Sequence, residues 1–339
     1  MNPRKIFVLL ILPGLWINAT YAQQFAFNSE EETVEGWYHS HDINTWVTKG
    51  ADRAVIEGII ERISQSEGEK RISDLVDTQI EFGPGNWAYE WIQAGDQALA
   101  EAGQLSGAAK LQKLRAALTY YTTGSWPHLG REDDVLALEK AVSVYMEAGA
   151  LMTVPVSHVD ISVGGEVTKG YLHLPAGEGP FPFVINSFGS DVTKEDSFDL
   201  FHRELEPRGI AMLAVDMPGI GEARQLSMQD GSDAVMEGAL NYLRQSEFAD
   251  QSNIFIVAGS FGGRAAACAL YRLDVAGVVS MCAPLPSPFL APPEVPDGLP
   301  ILTIDGVTDR LGVLDHSTEI LRELTPQTSL ALQAHVASG

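Results

Sequence analysis

The fold is decided by the stretch Asn253-Ile-Phe-Ile-Val-Ala258-Gly259-Ser260-Phe261-Gly262-Gly263-Arg264-Ala265. It begins with a continuous apolar run, which is typical of a strand covered on both faces of a parallel sheet. Gly259 then marks a turn. Gly262, Gly263 and Ala265 are small residues that allow a following helix to pack closely against the strand. The stretch therefore predicts a strand, a tight turn and a helix.

Ser260 occupies the predicted turn. A serine in a sharp strand-to-helix turn presents its hydroxyl at the edge of a sheet, beside the free N–H groups and positive dipole of the helix N-terminus. The usual pattern is G-x-S-x-G, and Ala258 replaces its first glycine here. In the alternative interpretation, Ser260 ends a strand by chance and the glycines serve packing. The strand–turn–helix context favours Ser260 as a nucleophile.

Short strands rich in β-branched and apolar residues recur on both sides of this stretch. We place them at 154–163, 168–174, 181–186, 210–215, 253–258, 276–281, 300–305 and 329–334. The first two are joined by Gly164-Gly165, which predicts a hairpin. The later strands alternate with helical segments at 195–207, 231–246 and 262–272. About eight strands, mostly parallel, predict an α/β class fold with an α/β-hydrolase sheet.

The chain before residue 150 shows helical periodicity instead. In one predicted helix the shared face consists of Val55, Ile59, Ile60 and Ile63. Apolar residues at this spacing form one stripe of an amphipathic helix. We therefore predict an N-terminal helical domain over 23–150 and an α/β-hydrolase catalytic domain over 151–339.

Residues 1–22 have the layout of a secretory signal peptide. Arg4-Lys5 precedes the apolar run Ile6–Trp16, and Thr20-Tyr21-Ala22 supplies the small residues of a cleavage site. The apolar run is too short to span a bilayer. We predict an exported protein, periplasmic or secreted after signal-peptide cleavage, without stable membrane insertion.

Charge and composition exclude several classes of protein. The 339 residues carry a formal net charge of −23, which repels phosphate backbones and excludes nucleic acid as a partner. The only cysteines, Cys268 and Cys282, do not make a disulfide scaffold or a Cys-ligated zinc site. Gly219-Ile-Gly221 lacks the third glycine of a dinucleotide fingerprint. His39-Ser-His41-Asp42 has no further ligand at a metal-binding spacing. We predict a small-molecule substrate, no cofactor and no metal, and the sequence leaves a homodimer open.

A serine nucleophile needs a base and an orienting acid, which follow it along the chain in this fold. Two histidines follow Ser260. His335 comes after the last predicted strand and is favoured as the base, whereas the surroundings of His316 are typical of a helix start. Asp309, in the loop after the strand that ends near Asp305, is favoured over Asp305 as the acid.

Two further segments carry a resemblance to a known family. They are Asn186-Ser-Phe-Gly189-Ser190-Asp191-Val-Thr-Lys194-Glu195 and Pro207-Arg-Gly209-Ile-Ala-Met-Leu-Ala-Val215-Asp216-Met-Pro218-Gly219-Ile-Gly221-Glu222. They are similar to the G-G-L-[DE]-S-x-K-E and R-G-x-A…D-x-P-G-x-G-E segments of the FrsA-like (fermentation–respiration switch) esterases. This family of α/β-hydrolases includes dihydroxypseudooxynicotine hydrolase and fungal polyketide-shortening hydrolases. The resemblance covers most of the mature chain, although Phe188-Gly189 replaces the paired glycines of the family.

The resemblance implies a role for each matching residue. Ser260 would be the nucleophile, His335 the base and Asp309 the orienting acid. The oxyanion hole would be formed by the N–H of Phe261 and an N–H of the Gly189–Ser190 turn.

Asp191 matches an acidic position that helps to handle substrate in carbon–carbon hydrolases of this group. Its other interpretation is an ordinary cap of the following helix.

These observations lead to one principal hypothesis and two alternatives. The principal hypothesis is a serine hydrolase that cleaves a small, largely apolar carboxylic ester through an acyl-enzyme, with the helical domain as lid and substrate selector. The first alternative is a carbon–carbon bond hydrolase acting on an aromatic diketone. The second is a catalytically impaired homologue that binds a ligand without turnover.

Overall fold

The computed structural model describes residues 43–66, 81–126, 130–189, 192–227, 233–260 and 274–281, and the main chain of 301–304. These residues fall into two compact units, divided between Pro155 and Val156. The first unit is helical and the second is built on a sheet.

Five helices form the described part of the helical unit. They are α1 (Ile43–Thr48), α2 (Arg53–Ser64), α3 (Trp87–Ala102), α4 (Gly107–Ser125) and α5 (Glu132–Gly149). Side chains cap two of them: Asp52 accepts the N–H groups of Ala54 and Val55, and Asn86 accepts that of Tyr89. Such caps satisfy N–H groups that have no partner within the helix, and so define where α2 and α3 begin.

The buried face of α2 differs from the predicted one. Ile56, Ile59 and Ile63 are fully buried. Val55 is 39% exposed, and Ile60 is only partly buried. The prediction that Val55 lies on the buried face is therefore wrong. Val55 and Ile56 are adjacent, and each can begin an apolar stripe at helical spacing. Packing against the rest of the unit selects the stripe that starts at Ile56.

Tryptophan side chains form the centre of the helical unit. The ring centroids of Trp46 and Trp91 are 5.0 Å apart, and those of Trp87 and Trp91 are 5.4 Å apart. Trp126 lies 6.1 Å from Trp87, whose Nε1–H donates to the carbonyl of Thr123 at 2.8 Å. Aromatic pairs at these separations add to the stability gained from burial alone.

The described part of the second unit contains a seven-stranded sheet. Its strands are β1 (Ser157–Val163), β2 (Glu166–His173), β3 (Phe181–Ser187), β4 (Ala211–Val215), β5 (Ala249–Gly259), β6 (Gly277–Met281) and β7 (Ile301–Ile304). Their order across the sheet is β1-β2-β4-β3-β5-β6-β7. β2 is antiparallel to both of its neighbours, β1 and β4. The five strands β4, β3, β5, β6 and β7 run parallel to one another.

This sheet confirms the predicted fold class. The hairpin between β1 and β2 turns at Gly164 and Gly165, whose φ angles of 58° and 96° favour glycine. Seven of the predicted strands are present, and the last, at 329–334, lies outside the described residues.

The helical segments between the strands match the sequence less closely. The predicted segment 195–207 consists of 3₁₀ turns at Lys194–Ser197 and Glu206–Arg208 and a π-helical turn at Leu200–Leu205. The predicted segment 231–246 is α6 (Ala234–Arg244), and 262–272 lies outside the described residues. None of the helices in the described ranges is both long and apolar enough to cross a bilayer.

Helix α6 packs closely on the sheet because Gly238 has no side chain. A Cβ at this position would lie 2.6 Å from the carbonyl oxygen of Ser162 in β1, closer than main-chain atoms allow. The side chains around it that meet the sheet are fully buried: Val235, Met236, Ala239, Leu240 and Leu243. This packing covers one face of the strands that carry the site.

A buried histidine makes the stability of this unit depend on pH. His173 in β2 is 1% exposed, and its ring lies 4.5 Å from that of Phe201. Burial disfavours the charged ring and lowers the pKa of His173 to about 3. The unfolded chain therefore binds a proton near pH 6.5 that the folded chain does not bind until pH 3. Between these values the free energy of unfolding falls as the pH falls, by about 1.4 kcal/mol per pH unit from this group.

We expect His173→Gln to flatten this acid dependence, because the variant side chain has no proton to gain. The measurement is urea unfolding at several pH values between about 6.5 and 4. Parallel stability curves for wild type and His173→Gln would contradict this account.

Candidate active site

The candidate site lies at the carboxyl ends of the central strands. In the register of the sheet, Ser187 of β3 and Ser280 of β6 both pair with Ala258 of β5. Gly189 and Ser260 each lie two residues beyond the Ser187–Ala258 pair. Loops that leave this edge of a parallel sheet hold the ligand sites of α/β proteins.

The main chain of Ser260 is in the left-handed region. Its φ is 52°, and among the described residues it is the one non-glycine residue with a positive φ. Its N–H donates to the carbonyl of Met281 at 2.8 Å. A left-handed serine costs of order 1–3 kcal/mol, and such conformations persist where the surrounding structure holds them. The turn therefore places a half-buried serine hydroxyl at the end of β5.

The residues before the serine fit a closely packed strand end. Ala258 is fully buried between β3 and β6, so the small side chain in place of the usual glycine is accommodated within the sheet. A Cβ on Gly259 would meet Met281 at 3.7 Å or more, which is ordinary contact. The strain of the turn is thus concentrated at Ser260.

A second feature of this edge is a buried group of charges around Lys194. The Lys194 ammonium donates to Asp216 Oδ2 at 2.9 Å, to Glu195 Oε1 at 2.9 Å and to Glu222 Oε2 at 2.7 Å. The Lys194 side chain is 0% exposed. Tyr171 donates its hydroxyl to Glu195 Oε1 at 2.8 Å. We call these five residues, together with His158, the Lys194 cluster.

Asp216 is the centre of the main-chain contacts in the cluster. Its Oδ1 accepts the main-chain N–H of Lys194 at 2.7 Å, and its Oδ2 accepts that of Glu222 at 2.9 Å. Gly221 has a φ of 54°, and a Cβ there would lie 2.3 Å from Asp216 Oδ2. The glycine therefore lets the loop after β4 wrap tightly around the carboxylate.

Burial and charge shift the pKa values of the cluster in opposite directions. Burial raises the pKa of Asp216 to about 6, against the opposing charge of Lys194. Partial burial opposes ionisation of Glu222, but the hydrogen bond from His158 and the charge of Lys194 outweigh it and lower the pKa to about 2. For Lys194 burial favours the neutral amine, and the charges of Asp216, Glu195 and Glu222 outweigh it and raise the pKa. Lys194 is therefore protonated across the physiological range.

Of the predicted site residues, the structure describes Ser260 and Gly189. Gly189 is buried and follows β3. The other site residues of the sequence analysis lie outside the described residues: Ser190, Asp191, Phe261, Asp309 and His335, with the alternatives Asp305 and His316. Cys268, Cys282, His39 and His41 lie outside them as well. Within the described ranges no group of His, Cys, Asp and Glu side chains is arranged to hold a metal ion.

Four residues of the cluster lie in the two segments that carry the family resemblance, but no common site was predicted for them: Lys194, Glu195, Asp216 and Glu222. The available signal was that Lys194-Glu195 and Asp216 to Glu222 each follow the end of a predicted strand. Adjacent parallel strands bring such positions together at one edge.

The strand order and the left-handed serine after β5 define an α/β-hydrolase. The FrsA-like esterase family matches residues 16–338 of the chain, and the protein belongs to this family. Both the predicted family and the prediction of a hydrolase enzyme are confirmed.

The chain is similar to the esterase FrsA of several bacteria. It is 31% identical over 287 residues to esterase FrsA of Vibrio cholerae serotype O1, covering 83% of this chain and 68% of that one. It is 32% identical over 314 residues to esterase FrsA of Escherichia coli O81, covering 89% and 74%.

Two solved structures share the fold over most of the chain. The structure of 2,6-dihydroxy-pseudo-oxynicotine hydrolase matches with a TM-score of 0.65 and 18% identity, over 85% of this chain and 87% of that one. AbyA5 matches with a TM-score of 0.63 and 21% identity, over 86% of each chain.

Proposed function

We propose that the protein is a serine hydrolase that cleaves a small, largely apolar carboxylic ester, with Ser260 as the nucleophile. The observation that carries the proposal is the left-handed main chain of Ser260 at the end of β5. A serine held in this turn exposes its hydroxyl to a substrate above the sheet. Membership of an esterase family supports the same reaction class.

The proposed reaction has two halves. His335, oriented by Asp309, takes the proton of the Ser260 hydroxyl as the oxygen attacks the ester carbonyl. The tetrahedral intermediate collapses, and the alcohol leaves with the proton from His335. Water then gives a proton to His335 and attacks the acyl-enzyme. The second tetrahedral intermediate collapses to release the acid, and Ser260 is regenerated with the proton from His335.

Main-chain N–H groups would stabilise the negative oxygen of each tetrahedral intermediate. The donors are the N–H of Phe261 and an N–H of the Gly189–Ser190 turn. Gly189 and Ser260 stand at equivalent positions beyond the Ser187–Ala258 pair, which supports this pairing of loops. Each donor of this kind contributes about 2.7–4 kcal/mol to stabilisation of the transition state.

The net charge of the chain favours an uncharged substrate. The formal net charge of −23 disfavours anionic esters. We assign the exclusion of water and the choice of substrate to the helical domain over 23–150, and catalysis to the domain over 151–339.

Carbon–carbon hydrolysis of an aromatic diketone is the second candidate function. It is favoured by the likeness in fold to 2,6-dihydroxy-pseudo-oxynicotine hydrolase and by Asp191, whose carboxylate would assist the leaving carbon group.

The two candidate functions differ in their dependence on Asp191. We expect purified protein to hydrolyse p-nitrophenyl acetate and butyrate with turnover. Asp191→Asn should retain at least about half of this activity, because the Asp191 side chain has no part in the proposed ester cleavage. An aryl 1,3-diketone is assayed in parallel, with products followed by mass spectrometry. Diketone cleavage that is lost in Asp191→Asn would instead establish the carbon–carbon reaction. A folded wild type that cleaves neither substrate class would contradict the proposed function.

The protein is also proposed to be exported, because residues 1–22 have the layout of a signal peptide. Mass spectrometry of the N-terminus of the cellular protein checks this: a start at Gln23 is expected, and a start at Met1 would contradict export.

A further inference from the structure

The Lys194 cluster joins five separate segments of the hydrolase unit. His158 is in β1 and Tyr171 is in β2. Lys194 and Glu195 follow β3, Asp216 follows β4, and Glu222 belongs to the 3₁₀ turn Gly221–Ala223. His158 Nε2 lies 2.8 Å from Glu222 Oε2, so the contacts run without a break from the surface to Lys194.

The loop that contains Gly189 is fixed at both ends, and the cluster holds one of them. One end of this loop is Ser187, fixed in β3. The other end is Lys194, whose main-chain N–H and side-chain ammonium both donate to the Asp216 carboxylate. A change at Asp216 therefore acts directly on the main chain five residues beyond Gly189.

The same loop lies beside the serine turn. β3 has β4 on one side and β5 on the other. Asn186 pairs with Ala214 of β4, and Ser187 pairs with Ala258 of β5. Asp216, Gly189 and Ser260 thus follow three adjacent strands at the same edge of the sheet. The Lys194 cluster is on the side of the Gly189 loop opposite β5.

The composition of the cluster points to a role other than stability. One ammonium faces three carboxylates, and Lys194, Glu195 and Asp216 are almost completely buried. Glu195 Oε2 has no hydrogen-bond partner in the described part of the chain. Buried ion pairs recover their desolvation cost poorly, and apolar side chains often stabilise an interior as well or better. What buried ion pairs provide instead is a defined geometry of the groups that they join.

We propose that Asp216 is a positioning residue of this hydrolase, which sets the main chain at Gly189 through its paired hydrogen bonds to Lys194. The inference rests on the proposed function, in which this main chain supplies an oxyanion donor. Because the donor acts on the charge that develops in the transition state, its displacement lowers kcat and leaves ground-state binding nearly unchanged.

Asp216→Asn is the principal test. It keeps the shape of the side chain but replaces one carboxylate oxygen by an amide N–H₂ group. This group then faces either the main-chain N–H of Lys194 at Oδ1 or the Lys194 ammonium and the main-chain N–H of Glu222 at Oδ2. We expect kcat for p-nitrophenyl butyrate to fall about 10- to 100-fold and KM to change less than about twofold. A trifluoromethyl ketone, which forms a tetrahedral oxyanion on a serine, should bind more weakly by the same factor as kcat.

Tyr171→Phe is a milder second variant. It removes the hydrogen bond that holds Glu195 Oε1, the oxygen that also accepts from the Lys194 ammonium, and so loosens Lys194 without removing the Asp216 carboxylate. We expect kcat and trifluoromethyl ketone affinity to fall together, by about threefold. It keeps the test decisive if Asp216→Asn does not fold.

Glu90→Gln is the matched control. Glu90 is also a buried carboxylate, and it accepts the main-chain N–H of Gly85 and the Nε–H of Arg62, but it belongs to the helical unit. It should lower the unfolding temperature and leave kcat and inhibitor affinity unchanged. Folded Asp216→Asn with wild-type kcat and inhibitor affinity would overturn the inference, as would unchanged values in Tyr171→Phe where Asp216→Asn is unfolded. Wild type without ester turnover would instead overturn the proposed function.

Discussion

Ser260→Ala is expected to lower kcat for p-nitrophenyl butyrate by about 10⁴-fold or more, with the fold intact. The hydroxyl is the atom that forms the acyl-enzyme, and no other group can replace it. The left-handed main chain at this position favours neither serine nor alanine strongly. We therefore expect the unfolding temperature to remain close to that of wild type. Steady-state kinetics and thermal unfolding on the same preparation measure both quantities.

Ser252→Ala is the control for the serine substitution. Ser252 lies near the opposite end of β5, where its hydroxyl donates to Asp250 Oδ1 at 2.7 Å in an exposed position. The control should retain wild-type kcat. A folded Ser260→Ala protein with more than about a tenth of wild-type kcat would contradict the nucleophile assignment.

Lys194→Met is expected to lower the free energy of unfolding by about 3–5 kcal/mol near neutral pH. The methionine side chain has a similar length but carries no charge, so Asp216, Glu195 and Glu222 lose their shared ammonium. Buried carboxylates without a counter-charge then repel one another, and each loses the hydrogen bond from the ammonium. Chemical denaturation near pH 7.5, with wild type measured in parallel, quantifies the loss.

The stability lost in Lys194→Met should shrink as the pH falls. Burial already raises the pKa of Asp216 in the folded protein, and loss of the ammonium that opposes this shift raises it further above its value in the unfolded chain. The folded variant then binds protons that the unfolded variant does not. Its free energy of unfolding consequently rises as the pH falls towards about 5, relative to wild type.

Lys169→Met is the matched control for Lys194→Met. Lys169 also pairs with an aspartate, Asp160, but both side chains are largely exposed. Exposed ion pairs contribute about 0–1 kcal/mol, so the control should remain near wild-type stability at every pH. A Lys194→Met protein with the stability of the control would contradict the buried ion pairing of Lys194 with the three carboxylates.

The sheet could be predicted from the sequence because its signals are local. Continuous apolar runs mark the parallel strands, and Gly164-Gly165 marks the hairpin turn at which β1 and β2 meet. The turn at Ser260 was predictable for the same reason, since a strand, a serine and small residues follow one another along the chain.

The faces of the helices were less predictable. α2 buries Ile56 in place of Val55. In α5 the small residues Ala137, Ala141 and Ala148 are fully buried. A prediction from periodicity relies on large apolar side chains, whereas close packing between helices favours small ones. The neighbouring helices therefore decide which face of a helix is buried.

The Lys194 cluster could not be assembled from the sequence. Its members are separated by up to 64 residues, as in the pair His158–Glu222, and no periodic pattern connects them. The region after β3 was predicted as one helix, but it is divided into 3₁₀ and π-helical turns around buried Lys194 and Glu195. Long-range ion pairing overrides local helix propensity there.

The most direct test of the account is labelling of the purified protein with a fluorophosphonate probe, followed by mass spectrometry of its peptides. An activated serine attacks the phosphorus atom and expels fluoride, which leaves a stable phosphonyl adduct. We predict one adduct on the peptide that contains Ser260, absent from Ser260→Ala and His335→Ala. An adduct that persists in His335→Ala would keep Ser260 as the nucleophile and transfer the role of base to His316. A well-folded wild type without an adduct on Ser260 would contradict the central claim.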